Sequence, residues 1–436
     1  MKLITNFHDG LKNLVANLGT SRDKASHSHY VVESLTPSEL LAAYRSSWLA
    51  KAIVDYPAED ATRKWRVWRA DSDQITKIER LERELGVQRR VQDALVTARL
   101  YGGAAIYINT DDADQSEPLS VGTEIKSLVV LSNNSLSAGE KVRDIYSPYY
   151  GRPEYYTLTS GADSNVVTIH ASRLVIFRGS PLPDGAVNTS SWGGDSVLQS
   201  TLDSIKQVDA TMANIASLVF ESKVDVFKFE GFARMMAEKQ DDIVLRRAHL
   251  NAAMKGINGA VVIDTKDEYE QKSATFSGLP EVVVKFQEGV SGASGIPVTR
   301  LYGRSAAGLS GTGEGDERVY YDRIGHDQAN EIQPEMALLD DCLIYQALGS
   351  RPEEIYFEWV PLKQLTESER ADIFQKTANA ARSLAGTSTG TLIPIDALSD
   401  ALVNEITEQG VLPGLDQKVL EYGSLREQDG FVGGDE

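Results

Sequence analysis

The sequence predicts an α+β fold, and three observations predict it. Between residues 38 and 101 the apolar residues recur at helical spacing; between 104 and 178 they switch to short β-branched or alternating runs. The connections between those runs are too short for βαβ crossovers, so the sheet is antiparallel. Beyond it the helical period returns in long stretches. At 436 residues, with 42% hydrophobic and 25% charged residues, the chain has the composition of a globular protein of two or three domains.

The elements follow in order. Residues 1–30 are polar and form an arm; the local pair His27 and His29 has no acid or cysteine to complete a metal site. Thr36, Pro37 and Glu39 spell a capping box, opening a helix that the spacing carries to Pro57. A second helix is expected at 58–65, then a helix pair over 73–101 with a turn at Gly86 and a stop at Gly102-Gly103. Strands are expected at 104–109, 127–131, 155–160, 166–169 and 174–178.

His170 and Ser172 form one half of an H-x-S phosphoesterase signature that requires two such pairs. No second pair exists among the six histidines, so His170 reads as a turn residue.

Ser196 to Ser222 is the strongest helix, with Leu198, Leu202, Ile205, Val208, Met212, Ile215 and Val219 at spacings of three and four and Asp195 as an N-cap candidate. It would run for about 40 Å, against a radius of gyration of about 22 Å for the chain packed as one body, which suggests an elongated subunit. VDVFKF (224–229) alternates as a strand, 236–255 reads as a charged helix and 259–264 as a strand. A charged turn follows at 265–272, and a helix at 280–290. Glu317–Ala347 is a long helix in which Pro334 predicts a kink near 330–334. Strand 355–360, a helix from Glu367 capped by Thr366 and a short helix from Pro394 precede a tail with eight acids and two bases. Cys342 lies in a helical pattern and reads as a buried, inert thiol.

Between Gly303 and Gly315 stand five glycines. Three readings compete for this stretch: a phosphate cradle, a plain surface loop, and a gate or lining loop in an assembly. Gly313 is followed by Glu314, Gly315 and Asp316 and not by the Lys-Ser/Thr of a P-loop, and two carboxylates at a helix start repel phosphate.

A net charge of −19 argues against a protein that grips nucleic acid, though not against one that DNA must pass without sticking. Arg300, Arg304 and Arg318 are the cations nearest the glycine stretch, each read as solvated or ion-paired. No apolar run approaches a membrane span of about 20 residues, and the first residues lack a signal-peptide pattern, which reads as cytosolic.

The segments YRSSWLAKAIVDYPAEDATRKW (44–65), RLYGGAAIYI (99–108), YYGRPEYYTL (149–158), IHASRLVIFRGSPLP (169–183), WGGDSVLQ (192–199) and GIPVTRLYGRSAAGLSGTGEGDERVYYD (295–322) together resemble the phage portal proteins. None is a catalytic signature; their number and order carry the resemblance. It implies a ring of about twelve identical subunits at a capsid vertex of the virion, made in the host cytoplasm, with double-stranded DNA passing through the channel. The implied partners are the terminase motor, the major capsid protein and head–tail connector proteins, with no membrane, no cofactor, no metal and no catalytic residue.

The implied portal fold has a mixed α/β wing at 31–235 with strand 355–360, two stem helices at 236–256 and 277–296, and a small β clip at 257–276. A tunnel loop at 297–316, a long kinked helix at 317–348, a helical crown at 362–406 and the acidic tail at 407–436 complete it. Channel-lining candidates are Arg304, Ser305, Gly308, Leu309, Ser310, Gly311 and Gly313; clip candidates are Asn258, Asp264, Lys266 and Asp267. Some relatives of this branch carry a phosphodiesterase that evades a host nuclease system, whose paired motifs this chain lacks. The rival function is a metal-dependent phosphoesterase or nucleotide hydrolase using the glycine stretch, with Glu314, Asp316 and Asp322 as Mg²⁺ ligands.

Overall fold

The computed structural model describes residues 34–403 except 113, 148–149, 160–165, 184–191, 221–222, most of 229–267, 274–275, 277, 304–312, 364–366 and most of 386–400. The chain forms two compact units, Met1–Val360 and Pro361–Glu436. The second contributes one described helix of length, α10 (Glu367–Ala385), braced by an exposed Lys376–Asp372 pair at 2.8 Å.

In the first unit, α1 (Pro37–Ser46) begins with the expected capping box: Thr36 Oγ1 accepts from the Glu39 amide and the Glu39 carboxylate accepts from the Thr36 amide. The helix then breaks earlier than expected. Ser47 adopts an extended backbone and caps α2 (Trp48–Arg63), which runs straight through Pro57. The spacing of apolar residues is blind to this break, because a single capping serine interrupts the backbone without disturbing the apolar pattern. α3 (Ser72–Leu85) and α4 (Val87–Tyr101) meet at Gly86, whose φ of 66° is the left-handed conformation expected there. The buried face of α4 includes Val91, Ala94 and Ala98, and its alanines let β2 approach closely.

Among the described residues every sheet is antiparallel. β2 (Gly103–Thr110) is the centre of one, flanked by β3 (Ile125–Ser132) and β7 (Leu174–Arg178). A second sheet runs β4 (Leu136–Ala138), β5 (Tyr155–Thr159), β6 (Val166–His170). One apolar core joins the two: Ala105 and Leu174 from the first, Leu136, Tyr156 and Ile169 from the second. Trp192 closes it, edge-on to Tyr156 at 5.6 Å and donating from its indole to the Leu136 carbonyl at 2.7 Å.

A two-stranded sheet pairs β1 (Arg66–Arg69) with β10 (Tyr356–Trp359), which supplies the expected last strand with a partner the sequence did not reveal. Beneath it Arg66 is buried between the Trp68 and Phe357 rings and ion-paired to Glu82 and Asp340, with Nη2 2.7 and 2.6 Å from one oxygen of each. The guanidinium stays charged: burial works against it and the two carboxylates outweigh that.

α5 (Leu198–Phe220) occupies the strongest helical pattern, but its cap is Ser196, whose Oγ accepts from the Leu198 amide at 3.1 Å; Asp195 is instead held in a β-bridge to Ser180. α5 packs along α6 (Leu279–Ser294), and β8 (Lys223–Lys228) pairs with β9 (Glu268–Ser273) beyond them. Residues 268–272, expected as a charged turn, are therefore strand: β9 pairs with β8 from Lys223 opposite Ser273 to Lys228 opposite Glu268. The stem partner expected at 236–256 lies largely outside the described residues.

α7 (Val298–Tyr302) and α8 (Glu314–Asp327) flank the glycine stretch, so helix occupies much of what was expected as loop at 297–316. The long helix continues through a π turn at Gln328–Ile332 into α9 (Gln333–Leu348), with Pro334 in its first turn. The kink expected from Pro334 takes this form. Gln333 bonds back five residues to the Gln328 carbonyl, and the wider turn makes room for the ring. Among the described residues no helix is long and apolar enough to cross a membrane.

Candidate functional site

Three of the segments quoted above meet at one point. Gly102-Gly103 ends α4, Gly179-Ser180 ends β7, and Gly193-Gly194 leads into α5. The Gly102 carbonyl accepts from the amides of Gly179 (2.9 Å) and Gly194 (2.6 Å), and Ser180 and Asp195 exchange both backbone hydrogen bonds. No side chain fits there. A Cβ on Gly102 would lie 2.2 Å from the Gly194 oxygen, and one on Gly194 would lie 2.0 Å from the Ser180 oxygen. Gly102 also has φ 90°. The glycines are thus required by close backbone approach, and the crossing fixes where α5 starts: the Val197 amide donates to the Arg99 carbonyl at 3.0 Å.

The glycine-rich stretch is anchored on α2. Asp60, wholly buried, accepts from Arg300 Nε at 3.0 Å on α7 and from the Tyr320 hydroxyl at 2.9 Å on α8; Arg63 lies 3.4 Å away. The Arg300 guanidinium also stacks on Tyr56, 4.1 Å from the ring centre. Burial pushes the Tyr320 phenol well up, and the Asp60 carboxylate adds to it, so Tyr320 remains a donor. For Arg300 burial opposes the charge and Asp60 restores it. Trp48 meets Tyr302 edge-on at 5.7 Å, and Arg63 lies over Tyr321. Gly303 and Gly313 both take φ 66°, one closing α7 and the other opening α8.

Beside this anchorage a polar cleft of about 190 Å³ is lined by Pro57, Arg99, Ser294, Gly295, Arg323 and Asp327, among others. Burial raises the Asp327 carboxyl and lowers Arg99 to about 10.

The expected site residues divide. Arg304, Ser305, Gly308, Leu309, Ser310 and Gly311, with Asn258, Asp264, Lys266 and Asp267, lie outside the described residues; Gly313 is described and buried at the foot of α8. Arg300 is the ion-paired side chain it was read to be, and Arg318 sits 4.0 Å from Asp322 on an exposed helix face. Among the described residues no three His, Cys, Asp or Glu side chains come together as a metal site, and Asp316 and Asp322 are exposed. His170 closes a turn: its Nδ1 accepts from the Ser172 amide at 3.1 Å and lies 2.8 Å from the Ser172 hydroxyl. Cys342 is buried, its thiol pushed up to about 11 by burial. Sequence reasoning missed Asp60, which nothing in the helical pattern of α2 separates from Asp55 and Glu59.

The chain is 40% identical to the anti-CBASS protein Acb1 of Caulobacter sp. (strain RHG1), over 96% of this chain and 70% of that protein. Its fold is similar to a chain from the neck of an empty gene transfer agent particle, at TM-score 0.52 and 14% identity, covering 92% of this chain and 98% of that one. The neck of the native particle, computed with C12 symmetry, gives TM-score 0.50 and 13% identity over 87% and 97%. A family model described as phage portal protein matches residues 38–383. The chain belongs to the phage portal protein family.

Proposed function

We propose that the chain is the subunit of a closed ring at a capsid vertex, through which double-stranded DNA enters during packaging and leaves on ejection. The observation that carries this reading is the family match together with what α5 and α6 do: two long helices packed side by side lead from the mixed α/β body to the β8–β9 ribbon. On this reading α5, expected within the wing, forms the stem with α6, in place of the pair expected at 236–256 and 277–296. The ribbon and the residues between its strands form the clip, expected at 257–276, and the second unit the crown. The stretch between Gly303 and Gly313 faces the bore. The terminase motor, the major capsid protein and connector proteins are the partners, and the virion is the location. The negative charge of −19 per chain keeps DNA from adhering to the wall.

Size-exclusion chromatography with light scattering tests it. A ring of about twelve chains of 47.7 kDa supports the reading, and a monodisperse monomer at micromolar concentration overturns it.

We further infer that this chain does not hydrolyse phosphodiesters, although the Caulobacter relative is named for anti-CBASS activity. In this chain His170 is buried and its Nδ1 lies 2.8 Å from the Ser172 hydroxyl, so the H-x-S pair is engaged within its own turn. Hydrolysis of a phosphodiester substrate by the purified protein would overturn this inference.

A further inference from the structure

We propose that Asp60 is a positioning residue that sets the distance between the two ends of the glycine-rich stretch. The inference gains its meaning in the phage from the portal reading, but its geometry stands without it.

One carboxylate holds both ends. Oδ2 accepts from Arg300 Nε on the entering side and from the Tyr320 hydroxyl on the leaving side, at 3.0 and 2.9 Å. These donors lie 240 and 260 residues from Asp60 in sequence, on two helices separated from each other by the glycine stretch. The ends also touch directly: a Cβ on Gly313 would lie 2.6 Å from Thr299 Cγ2, so the methyl of Thr299 fills the space that Gly313 leaves open. α2 is itself tied to α4, where Arg99 donates to the Ile53 and Val54 carbonyls at 2.8 and 3.0 Å. Asp60 is wholly buried while Arg63, its remaining cation, is half exposed, so the charge depends on Arg300 and the phenol for its solvation. The span is therefore dictated from outside the segment, by a side chain on α2.

An ion pair that merely glued α2 into the core would behave differently when removed: it would loosen the protein as a whole. Hydrogen exchange by mass spectrometry on the purified full-length protein separates the two cases. The reporter amides are Leu301 and Gly303, which bond to Pro297 and Thr299, and Glu317, which bonds to Gly313. In Asp60→Asn, exchange should rise on the order of tenfold in peptides 298–303 and 313–321 together, with the β2–β3–β7 sheet unchanged. Equal acceleration everywhere, acceleration of one flank alone, or none would overturn the proposal.

Tyr320→Phe, which removes a single hydroxyl and keeps the fold, should accelerate 313–321 and spare 298–303. An unchanged 313–321 in that variant would overturn the proposal even if Asp60→Asn fails to fold. A wild-type protein that forms no ring would overturn the portal reading alone and leave the exchange result intact.

Discussion

Arg99 supplies the hydrogen bond that Pro57 withholds. Pro57 has no amide proton to give the Ile53 carbonyl one turn back, and the Arg99 guanidinium donates to that carbonyl at 2.8 Å from α4. This is why α2 passes through its proline without breaking. Arg99→Met should cost about 1–3 kcal/mol by leaving a buried carbonyl unsatisfied. In a Pro57→Ala background, where the helix has its own donor, the cost should shrink by about 1 kcal/mol. Urea unfolding of the four proteins of this double-mutant cycle measures the difference.

The glycine crossing gives a sharper contrast. Gly194→Ala and Gly102→Ala each place a methyl within 2.2 Å of a backbone oxygen, with no flexible side chain to move aside. Each should cost about 3 kcal/mol or more, or abolish soluble expression. Gly86→Ala shares the positive φ of Gly102 but meets open space, and should cost only about 1–2 kcal/mol. Thermal denaturation of the three variants checks the order.

His170 makes stability depend on pH. Burial holds its pKa below the ordinary 6.5, with Arg173 adding to the effect and Glu154 opposing it. As the pH falls through 6.5 the unfolded chain takes up a proton that the folded chain refuses, so stability declines until the lower folded pKa is reached. Above 6.5 the contribution is flat. Between about pH 7.5 and about pH 5.5 the unfolding midpoint of the wild type should therefore fall further than that of His170→Gln.

Cys342 should be silent in the native protein. Its thiol is buried and shifted to about 11, so thiolate is scarce and unreachable. A thiol reagent should titrate no cysteine until denaturant is added, and then one per chain.

Much of this fold was legible because its signals are local. The capping box at Thr36 and Glu39, the glycine turn at residue 86, five of the six strands between 103 and 178 (all but the three-residue β4) and the disturbance at Pro334 each reside in a few adjacent residues. What was illegible is long-range. β1 reads as four residues of no clear period, and becomes a strand because β10 arrives to pair with it. Asp340 looks like one of two adjacent surface acids on a helix until Arg66 is seen against it. Asp60 sits in a run with Glu59, and nothing local separates the solvated acid from the one that gathers Arg300 and Tyr320. The glycine crossing lies between: each pair of glycines is visible, and their meeting is not.

The π turn at Gln328–Ile332 changes how the long helix counts. Its buried row runs Tyr320, Ile324, Gln328, Ile332, Met336, every fourth residue. A helix of 3.6 residues per turn lets such a row wander about 40° per step, so four steps of plain α-helix would carry Met336 to the far side from Tyr320. One turn wound wider takes up part of that drift and keeps Tyr320 and Met336 among the helix's buried residues. The wide turn therefore absorbs one residue beyond what plain α-helix would need, and removing a single one from 328–332 would let it close to α-helix with its two halves still facing nearly the same neighbours.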